Sequence, residues 1–319
     1  MRIVFCGSGP FAVPTLKALA EHHDLAAVIT QPARPAGRGG KLRPTAVAQA
    51  CAEMSRPAHP IRDINQDDAL AVVRSAGPDA IVVADFGQFL RQAVRGLARV
   101  DSINLHGSIL PELRGAAPIN WAIIRGQSRT GVTTFSLVDK MDAGKIYVSR
   151  ETVIEPGETA EQLRSRLAQI GAQAVLETLD LLERQGPAAG REQDESKVTL
   201  APPLKKSDGL LDWSAPAEAI CNRIRGTWPW PGGQTSYVHH NRCTGLILAR
   251  AEVAPGQGRD DLRIGQLDDE LCVKAGQGRV RILELQPAGK KLIAWRDFVN
   301  GYRCQSGDLM LTQGREMPE

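Results

Sequence analysis

The first sixteen residues, MRIVFCGSGPFAVPTL (residues 1–16), contain the transition that decides the fold. Residues 2–6 form a short apolar run, which predicts a buried strand. Glycines at positions 7 and 9 predict a tight turn, and residues 11–21 predict a helix directly after it. A strand that runs straight into a helix is the first half of a βαβ unit, so a parallel sheet is expected.

The same alternation of strand and helix continues through the first half of the chain. It predicts an α/β domain with a doubly wound, mostly parallel, Rossmann-like sheet. In such sheets the functional site lies beyond the carboxyl ends of the strands. Further strands are predicted at residues 25–30, 81–84, 102–105 and 132–138, and further helices at 45–54, 67–76, 117–125 and 159–184.

The pattern changes after residue 184. Residues 185–206 are rich in Gly, Pro, Ala and charge without a sustained period, as is typical of a linker. Short alternating runs with Gly-rich turns follow, which predict a small β-barrel or open sheet, with a frayed end from about Gln305. We therefore expect a catalytic domain over 1–188, a linker over 189–206 and a second domain over 207–319. The predicted strands of the second domain are 233–238, 246–253, 265–267, 270–274 and 279–286.

Composition excludes several classes of protein. The formal net charge is +3, so any nucleic-acid surface must be a local patch. The six cysteines are scattered, without a CxxC pair or a cluster with histidine, which favours reduced thiols, a cytoplasmic protein and no metal site. No apolar stretch approaches the roughly 20 residues that span a bilayer, and the apolar run at the N-terminus is shorter than a signal peptide requires.

Asn104 and His106 are the first candidate catalytic residues. They lie two positions apart at the end of a predicted strand, so their side chains are expected on one face of the sheet. An amide and an imidazole together can donate to a developing oxyanion and move a proton. Asp142, in the turn DKMDAG, could orient His106 and stabilise its charge. From spacing alone, a satisfied histidine at a strand end and a turn aspartate remain open alternatives.

The segment QPARPAGRGGKLRP, residues 31–44, is basic and has no acidic residue. Its three glycines and three prolines predict a mobile loop rather than a helix. The loop could be a solvated surface segment or a contact to phosphate groups, for which arginine supplies a fork-shaped donor. Its cations are Arg34, Arg38, Lys41 and Arg43.

Two other motifs have simpler structural explanations. Gly7-Ser8-Gly9 resembles part of a dinucleotide fingerprint, but the second strand ends in Thr-Gln-Pro without the expected ribose-binding acid. The glycines are therefore expected to serve a tight turn. Trp228 and Trp230 alternate with prolines, and packing between domains is favoured over stacking on a ligand. Neither a G-x-S-x-G elbow nor a P-loop occurs.

These motifs, in this order, closely resemble the methionyl-tRNA formyltransferase family of folate-dependent formyltransferases along nearly the whole chain. The resemblance rests on TQPARPAGRGGKLRPTAV (30–47), INLHGSILPELRGAAPINWAI (103–123) and MDAG (141–144). It is extended in the second half by LKKSDGLLDW (204–213), IRGTWPWPG (224–232) and LQPAGKK (285–291). Departures from the usual family pattern near the expected site include Asp85, Ile109, Ala143 and Lys145.

The resemblance implies roles for individual residues. Asn104, His106 and Asp142 match the catalytic trio of the family. Ser108, Ile109, Leu110 and Pro111 match the family's SLLP segment, which lines the tetrahydrofolate site. The implied co-substrate is 10-formyltetrahydrofolate, without a metal.

The resemblance also implies a nucleic-acid partner. Arg38 matches a loop arginine that helps the family to recognise initiator Met-tRNA, and Lys41 and Arg43 extend the same basic loop. The second domain matches an OB-like β-barrel that contacts the tRNA. A monomeric cytoplasmic enzyme of translation initiation is expected.

Three other functions compete with this prediction. A formyltransferase for a sugar amine or a purine precursor would share the trio, but the basic loop and the LQPAGKK motif argue against it. A non-catalytic RNA-binding protein would not need Asn104 and His106 at one strand end. A nicotinamide-dependent dehydrogenase is disfavoured by the missing ribose-binding acid.

Overall fold

The computed structural model describes residues 1–36, 41–240, 242–256 and 261–312, with only the backbone of residues 36 and 41. Contacts divide these residues into two compact units. The first contains the described parts of Met1–Pro118, Thr130–Thr152 and Arg164–Pro202. The second contains Ile119–Arg129, Val153–Leu163 and the described residues from Pro203 onward. The predicted domain boundaries at 188 and 206 stay a prediction.

A seven-stranded sheet forms the centre of the first unit, in the order β5–β2–β1–β6–β7–β8–β9. Neighbours from β5 to β7 are parallel, and β8 pairs antiparallel with β7. The strands are β1 (Arg2–Gly7), β2 (Asp24–Thr30), β5 (His59–Pro60), β6 (Ala80–Ala84), β7 (Asp101–His106), β8 (Arg129–Ser136) and β9 (Ile146–Val153). The helices of the chain up to residue 202 are α1 (Val13–His22), α2 (Ala46–Glu53), α3 (Asp67–Ala76), α4 (Gln92–Arg95), α5 (Pro118–Ile124) and α6 (Ala160–Gln185). Residues 119–124 of α5 and the first turn of α6 belong to the second unit.

The strand order places a switch point between β1 and β6, because the chain leaves β1 on one side for β2 and returns on the other side at β6. Ligands of doubly wound sheets bind outside the carboxyl ends of the strands at such a point. All five residues of β6 are buried, as expected for a strand that is covered on both faces. The adjacent β7 ends at His106, which brings the candidate residues to this edge of the sheet.

The second unit contains an antiparallel sheet in the order β12–β13–β11–β10–β15, with β14 paired to β13. Isolated bridges join Gln266 to Leu309 of β15 and Leu267 to Val273 of β12, which nearly closes the sheet into a barrel. The predicted fold class, a Rossmann-like sheet followed by a smaller β-barrel, is confirmed. The elements are α7 (Ala217–Thr227), β10 (Gly233–His239), β11 (Arg242–Ala254), β12 (Val273–Lys274), β13 (Arg279–Pro287), β14 (Ile293–Ala294), α8 (Trp295–Tyr302) and β15 (Leu309–Thr312).

Three local predictions were wrong. The basic segment 31–44 is not simply a loop, because β3 (Arg34–Ala36) pairs antiparallel with β4 (Lys41–Arg43). The chain is not frayed from Gln305, because β15 pairs with β10 and its Met310 is buried. The predicted strand at 265–267 is reduced to the two isolated bridges. In the described part of the chain, no helix is both long and apolar enough to cross a membrane.

Candidate active site

Asn104 and His106 lie at the carboxyl end of β7, on the same face of the strand. Asn104 is half-buried and pairs with Val83 of β6 on one side and Phe135 of β8 on the other. Among the described residues, none is seen to hydrogen-bond to the Asn104 amide. The amide is therefore available to a ligand at the strand end.

The His106 ring has one nitrogen fixed by the backbone. Its Nε2 lies 2.9 Å from the Leu113 carbonyl oxygen, which can only accept, so Nε2 must carry the proton and donate. In the neutral ring this leaves the lone pair on Nδ1. The ring is only 5% exposed and packs edge-on against Phe135, with centroids 6.4 Å apart. His106 is thus a buried imidazole whose basic nitrogen is Nδ1.

Asp142 lies in the turn between β8 and β9, with a left-handed backbone (φ 52°) that aspartate tolerates better than most residues. Its Oδ2 accepts a 2.7 Å hydrogen bond from the Gly115 amide and lies 3.8 Å from His106 Nδ1. The second distance exceeds a hydrogen bond. Asp142 was expected to orient the His106 ring, but the hydrogen bond that orients the ring is accepted by the Leu113 carbonyl. Asp142 instead lies near Nδ1 as a charged group.

The loop that follows β7 is fixed from inside the protein. Thr133 Oγ1 donates to the Ser108 carbonyl at 2.7 Å and accepts from the Leu110 amide at 3.1 Å. Ser108 donates its hydroxyl to the Glu112 carbonyl at 2.7 Å, and the Leu110 side chain is buried against Phe135. Leu110 and Pro111 are joined by a cis peptide bond. Ile109 and Pro111 remain half-buried, so they keep some apolar surface exposed in the loop that follows His106.

Sequence reasoning missed the backbone groups and the glutamine that hold the trio. The Leu113 carbonyl holds His106, the Gly115 amide holds Asp142, and Gln193 contacts the Asp142 turn. The Arg-Gly turn in the sequence indicated a tight bend, but only the fold shows that its backbone faces the trio. Gln193 lies in the segment predicted as a linker and had no signal in its sequence pattern.

The basic residues are only partly described. Arg34 and Arg43 are exposed and lie directly opposite each other in the β3–β4 pair. Arg38 lies outside the described residues, and the side chain of Lys41 is likewise outside them. Arg34 also donates to Gln31, whose Nε2 donates to the Phe86 carbonyl at 2.6 Å. These contacts connect the base of the hairpin to the loop after β6.

In the glycine turn after β1, two backbone amides donate hydrogen bonds within the protein. Ser8 and Gly9 both donate their N–H groups to the Asp85 carbonyl at 3.0 Å. A Cβ at position 9 would lie 1.8 Å from Asp85 Oδ2, so glycine leaves the room that this carboxylate needs. Asp85 itself is exposed and lies over Gly9 at the switch point. In the described residues, no group of three His, Cys, Asp or Glu side chains is placed to hold a metal.

Gly115 provides a test of the backbone contact to Asp142. Its φ is +126°, and a Cβ there would lie 2.5 Å from the Ala201 carbonyl oxygen. We expect Gly115→Ala to displace the amide that holds Asp142 and to slow any reaction at the site by about tenfold or more. The rate under saturating substrate measures the effect.

Gly157→Ala is the matched control. Gly157 also has a positive φ (+73°), but within the described structure no heavy atom lies within 4 Å of a Cβ built there. The control is expected to lower the free energy of unfolding by about 1–2 kcal/mol and to leave the rate unchanged. Equal rates for the two variants would contradict the role of Gly115.

Comparison with known proteins places these features in a family. The formyl transferase family model matches residues 1–179, and the formyl transferase C-terminal domain model matches residues 203–303. Methionyl-tRNA formyltransferase from Solibacter usitatus is 42% identical over 313 residues, covering 97% of this chain and 98% of that protein. Methionyl-tRNA formyltransferase from Geobacter metallireducens is 40% identical over 310 residues, covering 96% and 97%.

Solved structures show the same fold at low identity. Methionyl-tRNA formyltransferase from Clostridium thermocellum has a TM-score of 0.55 and 16% identity, over 81% of this chain and 95% of that chain. The sugar 3N-formyl transferase WlaRD, solved in the presence of dTDP and 5-N-formyl-THF, has a TM-score of 0.64 and 14% identity, over 91% and 99%. The full-length relatives confirm the resemblance seen in the motifs, and the chain belongs to the methionyl-tRNA formyltransferase family.

Proposed function

We propose that the chain transfers the formyl group of 10-formyltetrahydrofolate to the α-amine of methionine on initiator Met-tRNA. The observation that carries this function is the arrangement at the end of β7. A free amide donor, a basic imidazole nitrogen and a carboxylate converge there, as acyl transfer to an amine requires. The full-length relatives are named methionyl-tRNA formyltransferase, which supports Met-tRNA as the acceptor.

Each residue has a distinct task in this reaction. Asn104 donates to the formyl oxygen as negative charge develops on it. His106 takes the proton of the attacking amine at Nδ1, since Nε2 is held by the Leu113 carbonyl, and passes it to the departing nitrogen. Asp142, 3.8 Å from Nδ1, stabilises the imidazolium in between.

The residues present fit the formyl donor. Bound 10-formyltetrahydrofolate supplies an activated formyl group on its N10 nitrogen. Ser108 and Leu110 are buried, and the Ser108 hydroxyl and the Leu110 amide both have hydrogen-bond partners within the protein. The loop is therefore ordered before the folate binds. Ile109 and Pro111 keep some apolar surface exposed in the loop that follows His106, which suits the aromatic parts of a folate. We assign residues 108–111 to this contact.

The acceptor tRNA is proposed to contact the basic segment 31–44, which contains the β3–β4 pair. Like charges placed directly opposite in a strand pair are unfavourable, yet Arg34 and Arg43 face each other in this position. A polyanion bound across the pair would relieve that repulsion. We assign Arg38, Lys41 and Arg43 to tRNA binding and the barrel of the second unit to a further tRNA contact. The enzyme is proposed to act as a cytoplasmic monomer.

One assay tests the function. The protein is incubated with 10-formyltetrahydrofolate and either charged initiator or charged elongator Met-tRNA, and formylmethionine is measured. Product from initiator tRNA alone is expected. Absence of product from both tRNAs, with the protein shown to be folded, would overturn the proposal. Formylation of a sugar amine or a purine precursor instead would favour the nearest rival enzyme.

Replacement of Arg38 or Arg43 should weaken the use of tRNA without affecting the use of the folate. Arg38→Ala and Arg43→Ala are each expected to raise KM for Met-tRNA and to reduce the slope of log affinity against log salt by about one. KM for the folate should not change. Arg74→Ala is the control, because Arg74 is exposed in the last turn of α3, which leads to the opposite end of β6. An unchanged salt slope in both the Arg38 and the Arg43 variant would exclude phosphate contacts by these two residues.

A further inference from the structure

Gln193 lies outside both predicted domains, in the segment after α6, yet its amide contacts the candidate active site. Its Nε2 donates to the Asp142 carbonyl and to the Gly144 carbonyl, both at 2.8 Å. Its Oε1 accepts from Arg114 Nε at 3.1 Å and from Arg114 Nη2 at 2.8 Å. Both hydrogens and both lone pairs of the amide are therefore used.

These contacts join two loops that hold different members of the trio. The Nε2 contacts fix the turn that carries Asp142. The Oε1 contacts fix Arg114, which lies between the carbonyl that holds His106 and the amide that holds Asp142. Arg114 is 4% exposed, so its guanidinium requires such partners. The Gln193 side chain thus joins the turn that carries Asp142 to the loop whose backbone holds His106.

The backbone of the loop at Arg114 is also held by two hydrogen bonds to residues 199 and 201. The Arg114 amide donates to the Thr199 carbonyl at 2.9 Å, and the Ala201 amide donates to the Arg114 carbonyl at 2.7 Å. These bonds hold the 113–115 loop without reaching the Asp142 turn. The Gln193 side chain bonds both to the Arg114 side chain and to the backbone carbonyls of the Asp142 turn.

We propose that Gln193 is a positioning residue for formyl transfer, which sets the place of the Asp142 carboxylate relative to His106 Nδ1. This inference rests on the proposed function. Loss of the Nε2 contacts removes the hydrogen bonds to the Asp142 and Gly144 carbonyls, while the Gly115 amide still donates to the Asp142 carboxylate. A carboxylate that moves away from Nδ1 no longer stabilises the imidazolium, so the transfer step slows while the substrate contacts remain.

Glu195 offers a matched control. It pairs with the same Arg114 guanidinium at 2.7 Å and with Lys140 at 2.5 Å, so it reaches the turn through the exposed Lys140 side chain and not through the backbone at Asp142 and Gly144. Its side chain is 56% exposed. Hydrogen bonds from Arg114 and Lys140 lower the pKa of Glu195 to about 2, so it is ionised throughout any assay range. Glu195→Gln removes that charge from Arg114 and leaves the Gln193 amide in place.

Three variants of the full-length protein test whether Gln193 positions Asp142 for the reaction or only stabilises the fold. Gln193→Glu keeps an acceptor for Arg114 but loses both donors to the Asp142 turn. Gln193→Met has a similar size and loses every hydrogen bond without adding charge. We expect both to lower the single-turnover formylation rate by about tenfold or more, with KM for both substrates changed less than about twofold. Glu195→Gln should keep the wild-type rate.

The outcomes are distinct. Wild-type rates in folded Gln193→Met, or an equal loss in Glu195→Gln, would overturn the positioning role. A variant that lowers the melting temperature but keeps the saturated rate would show support of the fold only, and this too would overturn it. If Gln193→Glu does not fold, Gln193→Met decides. Wild-type protein without formylation activity would instead reject the proposed function, and the inference with it.

Discussion

Replacement of Asp142 by asparagine is expected to slow formyl transfer by about 100-fold or more. The asparagine oxygen can still accept from the Gly115 amide, so the turn keeps its anchor. What is lost is the negative charge 3.8 Å from His106 Nδ1, which supports the imidazolium during proton transfer. Asp142→Ala should lose as much, and tRNA affinity should stay nearly intact in both variants. Single-turnover kinetics with bound substrates measure the step directly.

Asp139→Asn is the control for Asp142. Asp139 lies in the same connection between β8 and β9, its side chain is 85% exposed, and it pairs with Arg95 at 2.7 Å. We expect this variant to keep the wild-type rate within about twofold, because the asparagine oxygen can still accept from the buried Arg95, which also donates to Gln92 and to the Leu90 carbonyl. A near-normal rate for Asp142→Asn would remove the charge of Asp142 from the mechanism. A normal rate for Asp142→Ala as well would remove the residue altogether.

Local patterns predicted the parts of the site that depend on one strand. The alternation of apolar runs and helices predicted β1, β2, β6 and β7, with ends within one residue of those observed. Because residues i and i+2 share a face, the pairing of Asn104 with His106 followed from spacing. The site at the carboxyl edge followed from the parallel order.

Other parts of the site depend on long-range contacts that no local pattern encodes. Asp142 faces His106 because β8 returns antiparallel beside β7, with Thr133 opposite His106. Spacing left Asp142 indistinguishable from any turn aspartate. Gln193 contacts the turn through its side-chain amide from a segment without periodicity, so composition predicted only a linker there.

Two wrong predictions about the fold have physical causes. Glycine and proline dominate residues 31–44 and predicted a loop, but three residues on each side suffice for the β3–β4 pair. The position of the last residues at the end of the sequence predicted fraying from about Gln305, yet β15 is held by pairing with β10 and by burial of Met310. In both cases backbone pairing with a neighbouring strand outweighed the local expectation.

Replacement of Asn104 by alanine is expected to cost about 3 kcal/mol of transition-state stabilisation, or roughly 100-fold or more in single-turnover rate. Removal of the amide leaves a short side chain between β6 and β8, so the strand pairing should persist. Asn104→Asp has the same size but cannot donate when ionised, and it places a negative charge where the oxyanion forms. It should therefore be at least as slow as Asn104→Ala, while KM for the folate changes little. A rate within about tenfold of wild type in Asn104→Ala would assign oxyanion stabilisation to another donor, and an Asn104→Asp variant faster than Asn104→Ala would show that the amide acts through packing rather than donation.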